Sequence, residues 1–235
     1  MRERYASAHE NTLLRRTLDG RQLEALKQIA RQQGVTLNSL LTTAFAAGLP
    51  ANESVGLAVD KRPDGCGSMG NYALGVSVAN ACAPARTLAE NVAAQHAAIR
   101  AKLDHPRELC FLHDFMHAVA PTLIDAIYFT RYGDYRNPVA DAMRGMCGYV
   151  DAPKGVHVSN LTTVAMPDEP AWTYRYAALC FVPPYMPNSR GNIGVSTYGD
   201  TLTLTLHTEQ NDRYDAIRAL FENACDALGE AAKAL

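Results

Sequence analysis

The chain has 235 residues, which is enough for one large domain or two small ones. Apolar residues make up 48% and charged residues 20%, as in ordinary folded proteins, so general disorder is excluded. The net charge is -2, which excludes the concentrated basic surface that nucleic acids and anionic membranes require. No apolar run approaches the roughly 18 residues of a membrane span, and the first 16 residues lack the apolar core of a secretory signal. We therefore expect a compact cytoplasmic protein.

The cysteines are scattered and form no CxxC pair, which excludes a zinc knuckle. Most lie among small apolar residues, as in NACAP and AALCFV, where a free thiol packs as a small core side chain. We therefore interpret the set as structural: Cys66, Cys82, Cys110, Cys147, Cys180 and Cys225.

The first third of the chain predicts a strand followed by a helical hairpin. Residues 11–19 alternate weakly in polarity and indicate a strand. Apolar residues then recur at helical spacing from Leu23, and Gly34 is a typical residue after a helix C-terminus. Thr36 is a good N-cap for a second helix that runs through Leu49 and ends before a proline.

The middle of the chain predicts two strands and a long helix. Residues 54–60 and 71–80 indicate strands on either side of a loop rich in glycine and proline. Residues 88–103 carry an amphipathic pattern that ends before Pro106, and residues 107–150 are predicted to be mainly helical.

The last third predicts four strands, with a tight turn at Gly199-Asp200 between the last two, and then a helix capped by Asn211 or Asp212. We therefore expect an α/β fold in one domain: a two-layer sandwich whose mixed sheet has helices packed on it. Residues 1–10 are predicted to be a linker or flexible N-terminus, and residues 11–235 a single unit. The four strands are predicted at 155–164, 172–182, 191–199 and 201–208.

Four pieces of the sequence resemble condensation-type acyltransferases, and they occur in that superfamily's order. GVTLNSLLTTAFAAGL resembles the helix pair that opens the C-terminal half, with Ser39 where a TxND motif has its aspartate. VDKRPDGCGSMGNYALGV resembles the following arginine-containing turn and strand. HVSNLTTV resembles an SNLG-type strand, and GNIGVSTYGDTLTLTLHTEQNDRYDAIRALF resembles the closing hairpin and helix. The resemblance implies a fold of the chloramphenicol acetyltransferase type.

The HHxxxDG motif, whose second histidine is the general base of these enzymes, is absent from the chain. In two-lobed members of the superfamily this motif lies in the N-terminal lobe, so the chain resembles the C-terminal lobe alone. The resemblance implies transfer of an acyl group from a thioester to an alcohol or amine, with the base supplied by an N-terminal lobe. It further implies acyl-CoA or the pantetheine arm of an acyl carrier protein as substrate, with no covalently bound cofactor.

His207 is the candidate catalytic residue within this chain. It ends the strand TLTLTLH, where single-lobed acetyltransferases place their catalytic histidine, and a neutral imidazole there can accept a proton at pH 7. The spacing to the following Asp212 is one residue longer than in those enzymes, and the glycine is missing. The alternative is an ordinary histidine at a strand end.

His113 and His117 share a helical spacing that permits metal binding, but no third ligand is evident and we predict no metal site. No glycine-rich phosphate loop and no serine-hydrolase elbow occur.

The candidate substrate-binding residues lie in segments that, by the resemblance, line the cleft between lobes. Their hydroxyl and amide groups are suited to hydrogen bonds with an acyl carbonyl or a pantetheine arm, and the alternative is that they satisfy backbone groups. These residues are Asn38, Ser159, Asn160, Ser196 and Tyr198.

Three functions remain open from the sequence. The first is a C-terminal lobe that forms the far wall of an acyl-transfer cleft, partnered by an N-terminal lobe or by self-association. The second is a non-catalytic binding or scaffold module with this fold. The third is a single-lobed trimeric acyltransferase that uses His207.

Overall fold

The computed structural model contains a six-stranded sheet with helices packed on it. It describes residues 10–62, 65, 67, 72–105, 114–115, 117–132, 137–146, 154–166, 173, 176–184 and 189–234. The strands are β1 (Asn11–Leu18), β2 (Ser54–Asp60), β3 (Ala73–Ala79), β4 (Lys154–Thr163), β5 (Ser189–Tyr198) and β6 (Thr201–Glu209). The helices are α1 (Gly20–Gln32), α2 (Leu37–Ala46), α3 (Leu88–Leu103), α4 (Pro121–Tyr132), α5 (Pro138–Met146) and α6 (Tyr214–Lys233).

The sheet is mixed, with strand order β1-β6-β5-β4-β2-β3. Strand β4 runs parallel to both of its neighbours, β2 and β5, and the other pairs are antiparallel. The carboxyl ends of β2, β4 and β5 therefore meet at one edge of the sheet. The predicted mixed sheet with packed helices is confirmed.

Local signals in the sequence fix where three helices begin. Asp19 accepts a hydrogen bond from the Gln22 amide while the Gln22 side chain accepts one from the Asp19 amide, which closes a capping box. Thr36 caps α2 by accepting from the Ser39 amide at 3.1 Å, as predicted. A second capping box starts α3 at Thr87, where hydrogen bonds to Thr87 lower the pKa of Glu90.

One face of the sheet carries the hydrophobic core. Strict alternation in β6 sends Leu202, Leu204 and Leu206 to this core face, where all three are buried. Helices α1, α2, α3 and α6 pack against this face, and Phe45 of α2 stacks on Phe221 of α6 with ring centroids 6.1 Å apart. Burial of each leucine contributes about 1.5–3 kcal/mol to folding.

The second face of the sheet carries small and polar residues. They occupy the positions that alternate with the buried apolar residues along the same strands. The pairing of β5 with β6 sets Asn192 opposite His207, Gly194 opposite Thr205 and Ser196 opposite Thr203. Residues 176–184 cross this face and are here called the strap: Thr205 Oγ1 donates to the Phe181 carbonyl at 2.6 Å.

The strap corrects one prediction. Residues 172–182 were predicted as a strand, but the described residues of this segment pair with no strand, and they cross the second face instead. Gly194 makes room for the crossing, since a Cβ there would lie 2.3 Å from the Phe181 carbonyl oxygen. Cys180 was predicted to be a core thiol, but it belongs to the strap and is exposed.

Smaller differences concern element ends. Helix α2 ends at Ala46 rather than Leu49. Helix α6 begins after Arg213, so neither Asn211 nor Asp212 is its N-cap, and Asn211 instead accepts a hydrogen bond from the Arg213 amide. The turn at Gly199-Asp200 is as predicted, with Gly199 at a φ of 59°.

The segment 107–150 contains α4 and α5, which agrees with the predicted helical content. His113, Cys66, Cys110 and Cys147 fall outside the described residues, as does the N-terminal segment before Glu10. Within the part of the chain that is described, no helix combines the length and apolar character of a membrane span.

Candidate functional site

An open pocket of about 380 Å³ lies at the edge of the sheet where β2 and β4 end. Three polar residues line its wall: Asp60 at the end of β2, and Ser159 and Asn160 near the end of β4. Its volume is within the range of small-molecule sites. The pocket therefore brings together two of the four sequence pieces that resemble the acyltransferase superfamily.

The segment that follows β2 supplies a positively charged side chain, Arg62, to the pocket. Arg62 and Tyr72 both line the wall, and the guanidinium carbon of Arg62 lies 4.3 Å from the centre of the Tyr72 ring. This is the geometry of a cation–π contact, which holds the guanidinium in place. The backbone amide of Arg62 donates to the Asp60 carboxylate at 2.8 Å, so the turn after β2 is also fixed.

Strand β4 forms a β-bulge at the pocket wall. The pairing of β4 with β5 is regular up to Asn160 opposite Val195 and resumes at Thr163 opposite Thr197. Leu161 and Thr162 thus share a single partner position, which is the definition of a bulge. Thr162 has a φ of 58°, the one left-handed backbone among the non-glycine residues that the structure describes.

Asn38 and Asn160 are brought together although 122 residues separate them. The Asn160 amide donates from Nδ2 to Asn38 Oδ1 at 3.0 Å, and its own Oδ1 accepts from the Thr162 amide at 2.7 Å. Both ends of the Asn160 side chain therefore already have a protein partner. These two candidate binding residues are thus joined by a contact with each other.

Ser196 lies beside the bulge on the second face of the sheet. Its position on β5 falls between Val195, which pairs with Asn160, and Thr197, which pairs with Thr163. The residue is 1% exposed, and its Oγ has no hydrogen-bond partner among the residues that the structure describes. A buried hydroxyl without a partner costs roughly 1–3 kcal/mol, so Ser196 is a candidate contact for a bound ligand. Tyr198 follows two residues later on the same face, half-buried.

His207 does not join this group. It is paired with Asn192, three residues along β5 from Val195, which corresponds to about 10 Å of strand. Its Nδ1 lies 2.9 Å from the carbonyl oxygen of Pro183 in the strap. A carbonyl only accepts hydrogen bonds, so Nδ1 is the donor in this contact. The ring of His207 is therefore tied to the strap, and it lies apart from the pocket.

A buried ion pair at the opposite edge of the sheet supports the strand geometry. Glu53, only 3% exposed, accepts two hydrogen bonds from Arg190 Nε at 2.9 and 2.8 Å and a further one from Nη2. Hydrogen bonding to Glu53 raises the pKa of Arg190. This pair ties the loop before β2 to the start of β5. The sequence carried no signal for it, because the partners are 137 residues apart.

One further histidine, His96, and two cysteines lie outside the pocket. Ser39, where the TxND motif has aspartate, is buried and lies 2.8 Å from His96 Nδ1, so it joins α2 to α3. Among the described residues, no three acidic, histidine or cysteine side chains are grouped as a metal site. Burial raises the pKa of Cys225 to about 12 and also raises that of Cys82, so neither thiol is activated.

No protein-family model matches the sequence, and no curated protein matches it significantly. Solved structures do match the fold. The nonribosomal peptide synthetase FmoA3 has a TM-score of 0.62 at 17% identity, over 97% of this chain and 22% of its own. The epimerization domain from the third module of tyrocidine synthetase B has a TM-score of 0.58 at 12% identity, over 97% of this chain and 50% of its own. The first condensation domain of the CDA synthetase has a TM-score of 0.56 at 17% identity, over 97% and 46%.

These similarities confirm the predicted resemblance at the level of fold: the chain has the α/β architecture found in condensation and epimerization domains. Nearly all of this chain is matched, whereas it spans 22% of the synthetase and about half of each single domain.

Proposed function

We propose that this chain is the C-terminal lobe of a condensation-type acyltransferase and that its pocket forms one wall of the acyl-transfer cleft. The observation that carries the proposal is the pocket itself. Its wall includes Asp60, Arg62 and Ser159–Thr162, which belong to two of the segments that resemble family motifs, in a chain that spans about half of a condensation domain.

The proposed ligand is the pantetheine arm of a thioester, carried by CoA or by an acyl carrier protein. Pantetheine is a narrow chain of amides and methylenes, so it matches a pocket with both polar and apolar lining. Ser159 lies in the wall and Ser196 lies beside the bulge, and both offer hydroxyl groups. Asn38 and Asn160 hold each other and the bulge, so they support the wall.

In the proposed reaction, an acceptor hydroxyl or amine attacks the thioester carbonyl. The new C–O or C–N bond forms as the C–S bond breaks, and a base removes the proton of the acceptor while the departing thiolate takes up a proton. The base belongs to an N-terminal lobe, since HHxxxDG is absent here. A positioned base contributes about 10²- to 10⁴-fold to such a step.

Binding of pantetheine tests the lobe assignment. Ser159→Ala is expected to weaken pantetheine binding about three- to tenfold in calorimetric titration, which corresponds to one hydrogen bond. Ser77→Ala is the matched control, because Ser77 is an exposed serine of the same sheet whose hydroxyl bonds Ser54. Equal affinities in the two variants, or no binding by the unmodified chain, would favour the scaffold module instead.

Thioester turnover separates the lobe from the single-lobed enzyme. The isolated chain is expected to release thiol from a panel of acyl-CoAs at the background rate. Turnover that disappears in His207→Ala would contradict the proposal and establish His207 as a base. The lobe is also expected to self-associate through the face that meets its partner, so light scattering at micromolar concentration should report a dimer or trimer.

A further inference from the structure

The bulge at the pocket wall is held by a chain of two side-chain hydrogen bonds that starts on a helix. Asn38 lies in the first turn of α2, immediately before the buried residues Ser39 and Leu40. The packing of that helix on the core face fixes the position of the Asn38 side-chain carbonyl, Oδ1. Asn160 Nδ2 donates to this carbonyl, and Asn160 Oδ1 accepts from the amide of Thr162.

The orientation of the Asn160 amide follows from its partners. A backbone amide only donates, so the atom that faces Thr162 must be Oδ1. Nδ2 is then turned toward α2, where only an acceptor satisfies it, and Asn38 Oδ1 is that acceptor. A rotation of the amide would break both contacts at once. The two hydrogen bonds are therefore coupled.

The Thr162 backbone needs this support. Its φ of 58° lies in the left-handed region, which a β-branched residue seldom adopts. The SNLG-type strand that this segment resembles has glycine at this position, and here Thr162 takes its place. Pairing with β5 resumes after the bulge, where the Val164 amide donates to the Thr197 carbonyl at 2.8 Å. The conformation is thus held on one side by the sheet and on the other by Asn160.

We propose that Asn38 and Asn160 form a positioning relay that transmits the placement of α2 to the bulge, and so sets the pocket wall at Leu161 and Thr162. Asn160 in this role is a positioning residue, and the ligand is contacted by the wall that it holds. Only the effect of the relay on pantetheine binding rests on the proposed function. The relay itself is a property of the fold.

Amide hydrogen exchange at Thr162 measures the relay directly. Thr162 is exposed, so the protection of its amide depends on the Asn160 acceptor. Asn160→Ala is expected to speed exchange at Thr162 at least tenfold. Asn38→Ala is expected to speed it about three- to tenfold, although the hydrogen bond of Asn38 goes to Asn160 and that of the Thr162 amide to Asn160 as well. The amide of Val164, bonded to Thr197, is the internal control and should change less than twofold.

Conservative variants separate the relay from general destabilisation. Asn160→Asp keeps an acceptor for the Thr162 amide, and its second oxygen accepts from Asn38 once that side-chain amide rotates. Exchange at Thr162 should then stay within about twofold of the unmodified chain. The proposal is overturned if Asn38→Ala leaves exchange at Thr162 unchanged, or if it accelerates Val164 equally.

Pantetheine titration then links the relay to the site. Asn38→Ala should weaken binding about threefold, while Ser77→Ala, whose hydroxyl bonds Ser54, should bind as the unmodified chain does. If the unmodified chain binds no pantetheine, the proposed function fails, whereas the exchange data still decide the relay. Weakened binding in Asn38→Ala without faster exchange at Thr162 would refute the relay and make Asn38 a direct contact.

Discussion

Replacing Thr162 by glycine should stabilise the protein, although glycine in a strand usually destabilises. A residue with a Cβ in the left-handed conformation costs about 1–2 kcal/mol, and Thr162 has a φ of 58°. Glycine removes this strain but adds about 0.5–1 kcal/mol of backbone entropy to the unfolded chain. The side chain is exposed, so little buried contact is lost. The expected net gain in the free energy of unfolding is about 0.5–1 kcal/mol.

The measurement is urea unfolding of Thr162→Gly beside Thr163→Gly. A gain of about 1 kcal/mol corresponds to a rise in melting temperature of roughly 2–4 °C for a chain of this size. Thr163 is also an exposed threonine, but it is back in register with Thr197 and has no left-handed backbone. Its replacement should cost about 0.5–1 kcal/mol. Equal destabilisation by the two substitutions would refute the strain argument.

Three further predictions concern the strap, the ion pair and a buried thiol. Gly194→Ala should lower the free energy of unfolding, measured in urea, by about 1–3 kcal/mol, because its Cβ would lie 2.3 Å from the Phe181 carbonyl oxygen in the strap. Gly75→Ala is the control: a Cβ there meets open space, so this substitution should be nearly neutral. Glu53→Ala should cost about 1–2 kcal/mol by leaving the partly exposed guanidinium of Arg190 without its buried carboxylate partner, and a loss as small as that of the exposed Glu24→Ala would contradict this role. Burial raises the pKa of Cys225 from 9.0 to about 12, so its contribution to stability is complete below pH 9 and falls by up to about 1.4 kcal/mol per pH unit toward pH 12. Urea midpoints at pH 8 and pH 10 should therefore differ less in Cys225→Ala than in the unmodified chain, and an identical difference would exclude the thiol.

The periodicity of the sequence was sufficient for most secondary structure. The helix at 88–103 was predicted with the bounds of α3, and the strict alternation of TLTLTLH gave β6 and its buried leucines. Thr36 as an N-cap and Gly199 as a turn residue were also correct. These features depend on neighbours within four residues, so local sequence is enough to encode them.

The segment 172–182 was predicted wrongly because strand propensity reports only that a segment suits a half-buried, extended path. Whether such a segment joins a sheet depends on an available strand edge. Here β5 is already paired on both sides, with β4 and β6. The strap instead satisfies its carbonyl groups with Thr205 and His207 on the second face.

The sequence by itself determined most of the elements, the mixed α/β class and the resemblance to condensation-type domains, because each of these rests on local pattern or on motif order. It also pointed to one group of candidate binding residues: Asn38, Ser159, Asn160, Ser196 and Tyr198. The tertiary structure alone decided how that group is arranged: Asn160 is held between α2 and the bulge, and Ser196 is buried beside it. It also placed His207 away from the pocket. Contacts across 122 residues depend on strand order and helix packing, and a single sequence does not specify these contacts residue by residue.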